Sequence, residues 1–156
     1  MGAQREILLV SGPNLDLLGQ RDPRHYGTAT LEEIVERTRR RAAAAGLSVR
    51  HVQSNAESVL IEAVHEARPT AVALIINAGA LTHSSWALHD ALEVFTGVKV
   101  EVHLSNPGAR ERFRHRSTLA GVVNGTVAGF GPLGYDLAVD AVVALLGAPG
   151  TPGRLD

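Results

Sequence analysis

Glu101, His103 and Ser105 occupy every second position of EVHLSN, in a strand read from Val98 to Leu104. Side chains alternate along a strand, so the three share one face. A strand covered by helices on both sides is normally almost all apolar. An acid and an imidazole there must pair, because burying either charge alone is costly. Such a pair orients the ring and raises its basicity, which suits proton transfer by general acid–base chemistry. Arg110, Arg112, Arg114 and Arg116 follow directly. A guanidinium cluster points to carboxylate or phosphate recognition, with a solvated surface as the alternative.

The elements that position these residues alternate between short apolar runs and amphipathic stretches. Strands are expected at Ile7–Val10, Leu47–Val52, Ala71–Ile76, Val98–Leu104 and Gly121–Ala128. Helices are expected after Thr30, over Val59–Ala67, over Ser84–Phe95 and over Leu133–Leu146, from 3.6-residue apolar spacing. Thr30 with Glu33 forms a capping box, and Gly46 ends that helix. Five strands alternating with helices imply an α/β, flavodoxin-like three-layer sandwich with a five-stranded parallel sheet in the order 2-1-3-4-5. One domain over residues 1–147 is expected, with a disordered Pro/Gly tail over 148–156.

In such sheets ligands sit beyond the carboxyl ends of the strands, where the strand order reverses. Ser11-Gly12-Pro13-Asn14, Asn77 and His103-Leu104-Ser105-Asn106 end three strands that meet there. The first is followed by a long loop, Leu15–Gly27, which carries Arg21 and Tyr26 between Gly19 and Gly27 as candidate hinges. Loops of this length are commonly functional lids. His83 is placed at the start of the third helix, where free N–H groups favour anions, with Asp90 on the same face. Gly129, Gly131 and Gly134 spell GxGxxG, but no further strand with an acidic residue follows. They are read as a tight turn and close helix packing.

Composition narrows the class. The chain has 156 residues, 45% hydrophobic content and a net charge of −1, so bulk charge gives no reason to expect nucleic acid or an anionic membrane. It has no cysteine, which excludes disulfides, zinc–thiolate sites and thiol nucleophiles. No apolar run approaches membrane-spanning length, and the opening MGAQREILLVSG lacks a signal-peptide layout, so a cytoplasmic protein is expected. Lys99 is the single lysine.

The segments GPNLDLLGQRDPRHYG, QSNAES, INAGALTHSSWALHDAL, EVHLSN, Arg110–Ser117 and VAGFGPLGY, in this order and spacing, resemble the type II 3-dehydroquinate dehydratases over about Ile7 to Leu146. Ser11, Ser58 and Leu81 depart from residues common in that family, namely Asn, Gly and Tyr. The resemblance implies removal of water from 3-dehydroquinate to give 3-dehydroshikimate in the shikimate pathway, with no metal or organic cofactor. It makes Tyr26 the base, Arg21 its stabiliser, His103 the acid and Asn14 the holder of a water at the enolate oxygen. Glu101 orients His103. Asn77, His83, Arg114 and the Leu104 and Ser105 amides bind substrate, and Asp90 reaches a neighbouring subunit's site. A homododecamer of four trimers is implied, and Trp86 on the Asp90 helix is easier to place at a subunit contact than in water.

Elementary chemistry fits these roles. Phenols ionise near pH 10, so a tyrosine base requires cationic neighbours, and Arg21 and Arg114 are the candidates. A Schiff-base route would need Lys99, which lies about four residues before its strand end. A flavin- or phosphate-binding module is the alternative, but 4% aromatic content offers few rings to stack on a flavin. A hydrolase triad of Ser105, His103 and Glu101 fails because three residues on one strand face project in parallel.

Overall fold

The computed structural model describes residues 5–147. The expected tail over 148–156 lies outside the described residues. Five strands, β1 (Arg5–Ser11), β2 (Leu47–Gln53), β3 (Ala71–Asn77), β4 (Val98–His103) and β5 (Gly125–Ala128), form one parallel sheet in the order β2-β1-β3-β4-β5. The α-helices are α1 (Pro23–Tyr26), α2 (Leu31–Ala43), α3 (Glu57–Ala67), α4 (Trp86–Glu93) and α5 (Leu133–Gly147).

Strand alternation splits the core into two layers. Ile7, Leu9, Ile75, Val100 and Val102 face α2 and α5, while Leu8, Val10, Leu74 and Ile76 face α3 and α4. Both faces of the central strands are thus sealed, which explains their continuous apolar runs. The capping box on α2 is present: Glu33 N–H donates to Thr30 Oγ1 at 3.2 Å, and Thr30 N–H donates to Glu33 Oε2 at 2.8 Å. Arg37 forks onto Asp136 at 2.7–3.0 Å and ties α2 to α5.

Four expectations are corrected. The fifth strand starts at Gly125, because Gly121–Asn124 is turn. The stretch read as a helix over Ser84–Phe95 is a 3-10 turn at Gly79–His83 followed by α4, whose N-cap is Ser85. His83 therefore ends a 3-10 turn instead of opening a helix. Strand β4 stops at His103, so Ser105 lies beyond the strand and does not share its face by alternation. The Leu15–Gly27 loop also holds structure of its own: a 3-10 turn at Leu15–Leu17 and the one-turn helix α1.

β1 and β3 end side by side at the switch point, where Ser11 lies in register with Asn77 and Gly12 N–H donates to the Asn77 carbonyl at 2.8 Å. The chains approach so closely that a Cβ at Gly12 would lie 2.3 Å from the Ala78 carbonyl oxygen. Gly12→Ala should therefore cost about 3 kcal/mol, the upper end of ordinary overpacking. That corresponds to a Tm lower by roughly 10 °C for a domain of this size. An unchanged melting curve would show that the strand ends can separate freely.

Candidate active site

The carboxyl ends of β1, β3 and β4 open into a cleft lined by Arg21, Tyr26, Asn77, His83, His103, Leu104, Ser105, Arg110 and Arg114, among others. Its free volume is about 40 Å³, room for a few waters, since a cavity needs roughly 10–15 Å³ to hold one. The loop after β1 is folded down upon it.

Leu15 and Leu18 anchor that loop in the core beneath α2. Asn14 takes a left-handed conformation (φ 66°), and its N–H donates to Asn55 Oδ1 at 2.9 Å. Asp22 then caps α1 by accepting from Arg24 N–H at 3.0 Å, with Pro23 in the first helical position. This single turn delivers Tyr26. Its phenol oxygen accepts from Arg21 Nη2 and from Arg110 Nη1, each at 2.9 Å, and the Arg21 guanidinium lies 3.8 Å from the ring centroid. Guanidinium groups only donate, so the phenol oxygen is the acceptor in both bonds.

On the other side, His103 Nε2 meets Glu101 Oε1 at 3.1 Å. Glu101 has 1% side-chain exposure. Burial drives its carboxyl upward, but bonds from His103, Ser117 and Thr126 outweigh burial and hold it below the usual carboxylate range. Asn77 is fixed at both ends of its amide: Oδ1 accepts from Gly79 N–H at 3.2 Å, and Nδ2 donates to the Tyr135 hydroxyl at 3.1 Å. Tyr135 is fully buried, and burial pushes its phenol up to about 12. His83 Nδ1 lies 2.7 Å from the Arg116 carbonyl. A carbonyl only accepts, so Nδ1 carries the hydrogen and the neutral ring keeps Nε2 as an acceptor.

Eight of the expected residues line this cleft: Arg21, Tyr26, Asn77, His83, His103, Leu104, Ser105 and Arg114. Glu101 stands behind His103. Asn14 does not line it, and Asp90 is exposed on α4 outside it. Arg110 is the residue that sequence reasoning failed to single out. The Pro107–Ala109 turn, capped by the Asn106 side chain, folds the chain back so that Arg110 reaches Tyr26 and Ser105 Oγ. The Asn-Pro-Gly turn was the available signal. Arg114, by contrast, is paired with Glu111 at 2.8 Å. Tyr135 had no distinguishing signal beyond its place in an apolar helix.

A larger open groove of about 670 Å³ runs along α2 to His51, whose ring burial and Arg39 hold down at about 4. It gathers mostly solvated Glu and Arg side chains of one helix, with no strand ends converging on it. The smaller cleft is therefore the candidate site.

Fold and cleft together define a flavodoxin-like α/β protein with a polar cleft at the switch point of its sheet. Residues 5–143 match the family described as dehydroquinase class II. A 3-dehydroquinate dehydratase of Shewanella halifaxensis is 48% identical over 148 residues, covering 95% of this chain and 97% of the relative. The 3-dehydroquinate dehydratase 1 of Corynebacterium efficiens is 51% identical over 134 residues, covering 86% and 89%. The crystal structure of type II dehydroquinase from Propionibacterium acnes superimposes with a TM-score of 0.86 at 36% identity, covering 92% of this chain and 99% of that one. The chain belongs to the class II dehydroquinase family.

The depressed Glu101 carboxyl stabilises the fold above its ordinary value of 4.5 and ceases to do so as pH falls through the lower folded-state value. Glu101→Gln should cost about 2 kcal/mol at neutral pH, the scale of hydrogen bonds to a charged group. The gap to wild type should close as the pH falls below 4.5 and through the lowered folded-state value. Urea denaturation across this range measures it, and a gap independent of pH would mean that Glu101 is not held ionised.

Proposed function

We propose that the cleft dehydrates 3-dehydroquinate to 3-dehydroshikimate, a hydro-lyase step of the shikimate pathway, with Tyr26 as base and His103 as acid and with no cofactor. The observation that carries this reading is the Tyr26 oxygen between two guanidinium groups, in one cleft with a carboxylate-backed imidazole. The Tyr26 phenolate takes the proton from the carbon beside the ketone, and the C–H pair becomes an enolate. A water held by Asn14 hydrogen-bonds to the enolate oxygen. The enolate then re-forms the ketone and makes the new C=C bond as the C–O bond breaks. His103 gives its proton to the departing hydroxyl, which leaves as water. Proton exchange with solvent resets both groups.

The Leu104 and Ser105 amides receive the substrate carboxylate, and Arg114 adds positive charge. His83 Nε2, left as an acceptor, suits a substrate hydroxyl, and Asn77 presents the amide hydrogen that Tyr135 does not take. Lys99 Nζ donates to the Phe95 carbonyl at 2.5 Å, and the residue is not among those lining the cleft, which disfavours an imine route. Among the described residues the one grouping of three potential metal ligands, His89, Asp90 and Glu93, lies on α4 and lines no part of the cleft. Full activity is expected after exhaustive chelation and after borohydride treatment with substrate present. Loss in either experiment would replace this mechanism.

Formation of the conjugated enone gives a spectroscopic assay. Tyr26→Phe should leave less than about a hundredth of wild-type kcat, the lower end of general-base effects. Arg110→Ala should lower kcat by about tenfold to a hundredfold, as expected for loss of one hydrogen bond to a charged group, here the phenolate. Near-normal turnover in Tyr26→Phe would show that another group is the base.

The assembly belongs to the same proposal: a homododecamer of four trimers acting in the cytoplasm, each Asp90 completing a neighbour's site. Asp90 is exposed outside its own cleft, and Trp86 on the same helix is 64% exposed, which supports a covering subunit there. No helix among the described residues is long and apolar enough to cross a membrane. Mixing Asp90→Ala with His103→Ala subunits should restore part of the activity. No recovery in mixed assemblies would mean that each chain supplies its own Asp90.

A further inference from the structure

Glu101 lies inside the β4 layer and accepts from His103 on its own strand and from two residues farther along the chain, Ser117 and Thr126. His103 Nε2 and Ser117 Oγ reach Oε1 at 3.1 and 2.7 Å, and Thr126 Oγ1 reaches Oε2 at 3.1 Å. Thr126 stands directly opposite Glu101 in the β4–β5 register. Ser117 follows the 3-10 turn at Arg112–His115. Ser117 Oγ also accepts the Leu119 N–H at 3.0 Å, which leaves its one hydrogen free to donate to Glu101. An ionised carboxylate accepts only, with about four lone-pair sites. A protonated acid would turn one oxygen into a donor and oppose one of these bonds.

We propose that Ser117 and Thr126 are positioning residues for His103: their hydroxyls hold Glu101 as a fixed acceptor, which pins the His103 hydrogen at Nε2 and leaves Nδ1 as the nitrogen that works in the cleft. This rests on the reading of His103 as the acid. In the proton-transfer step the Nδ1–H bond breaks, the leaving oxygen gains the proton and the ring becomes neutral with its hydrogen on Nε2. Without the two hydroxyls, the proton shared by the pair can move onto Glu101. The imidazole then becomes a weaker acid and its two tautomers mix. The other charged or titratable groups near this layer have their own partners. Lys99, two residues back on β4, donates to the Phe95 carbonyl, and His89 on α4 has Nδ1 at 3.1 Å from the Thr118 carbonyl. The short strand β5 acquires a role here that its four residues do not have in the core.

The test combines kinetics with 15N NMR of histidine-labelled whole enzyme. Ser117→Ala and Thr126→Val should each lower kcat about tenfold, the scale of one hydrogen bond to a charged group, with KM within about twofold. Thr126→Ser should restore kcat. The wild-type His103 signals should show a protonated Nε2 and an unprotonated Nδ1 in the neutral ring, and the double variant should show mixed tautomers. If Thr126→Val does not fold, Ser117→Ala alone gives both readouts. Wild-type kcat in the variants, or a loss of kcat with unchanged ring signals, would overturn the proposal. If His103→Ala retains turnover, the acid assignment fails, while the ring signals still report whether the hydroxyls fix the tautomer.

Discussion

A carboxylate sealed within a parallel sheet layer constrains much of the second half of this protein. Glu101 belongs to a strand in which every residue is buried, and an uncompensated charge there would cost far more than one packed side chain returns. Its partners come from β4 itself, from β5 and from the segment after the arginine-rich turn. Those three regions cannot move independently without leaving a buried charge short of donors. The same bonds turn a structural necessity into an oriented imidazole at the mouth of the sheet.

The first half of the chain solves the opposite problem. Tyr26 is brought by a loop, and loops are less rigid than strands. Two buried leucines fasten the loop base to the α2 side of the core, and Asp22, Pro23 and Gly27 fix one helical turn around the phenol. Arg21 lies within the same loop, whereas Arg110 is 84 residues away from Tyr26 in the chain. Tyr26 is thus held from both halves of the molecule, at the edge of a cleft of about 40 Å³. The loop glycines at positive φ, Gly19 and Gly27, are where the backbone already bends.

The strand order gives these two devices a common location. β1 carries the loop and β4 carries the acid–imidazole pair, with β3 between them contributing Asn77. Asn77 is steadied by the buried Tyr135 of α5, so even the central strand end depends on a helix from the far end of the chain.

Sequence periodicity by itself determined the layer architecture, the parallel strand order and the meeting of three polar strand ends. Continuous apolar runs are a direct consequence of burial on both faces, and the Thr30–Glu33 box is a local bond that neighbouring residues decide alone. Alternation also paired Glu101 with His103 correctly, because both lie inside one strand. It failed for Ser105, where the strand had already ended, and for Gly121–Asn124, where apolar residues sit in turns. Tertiary structure alone decided which of four arginines reaches Tyr26, which phenol steadies Asn77 and which hydroxyls hold Glu101. Those contacts join residues far apart in the chain, and linear spacing reports the face a residue occupies but not the partner that the fold brings to that face.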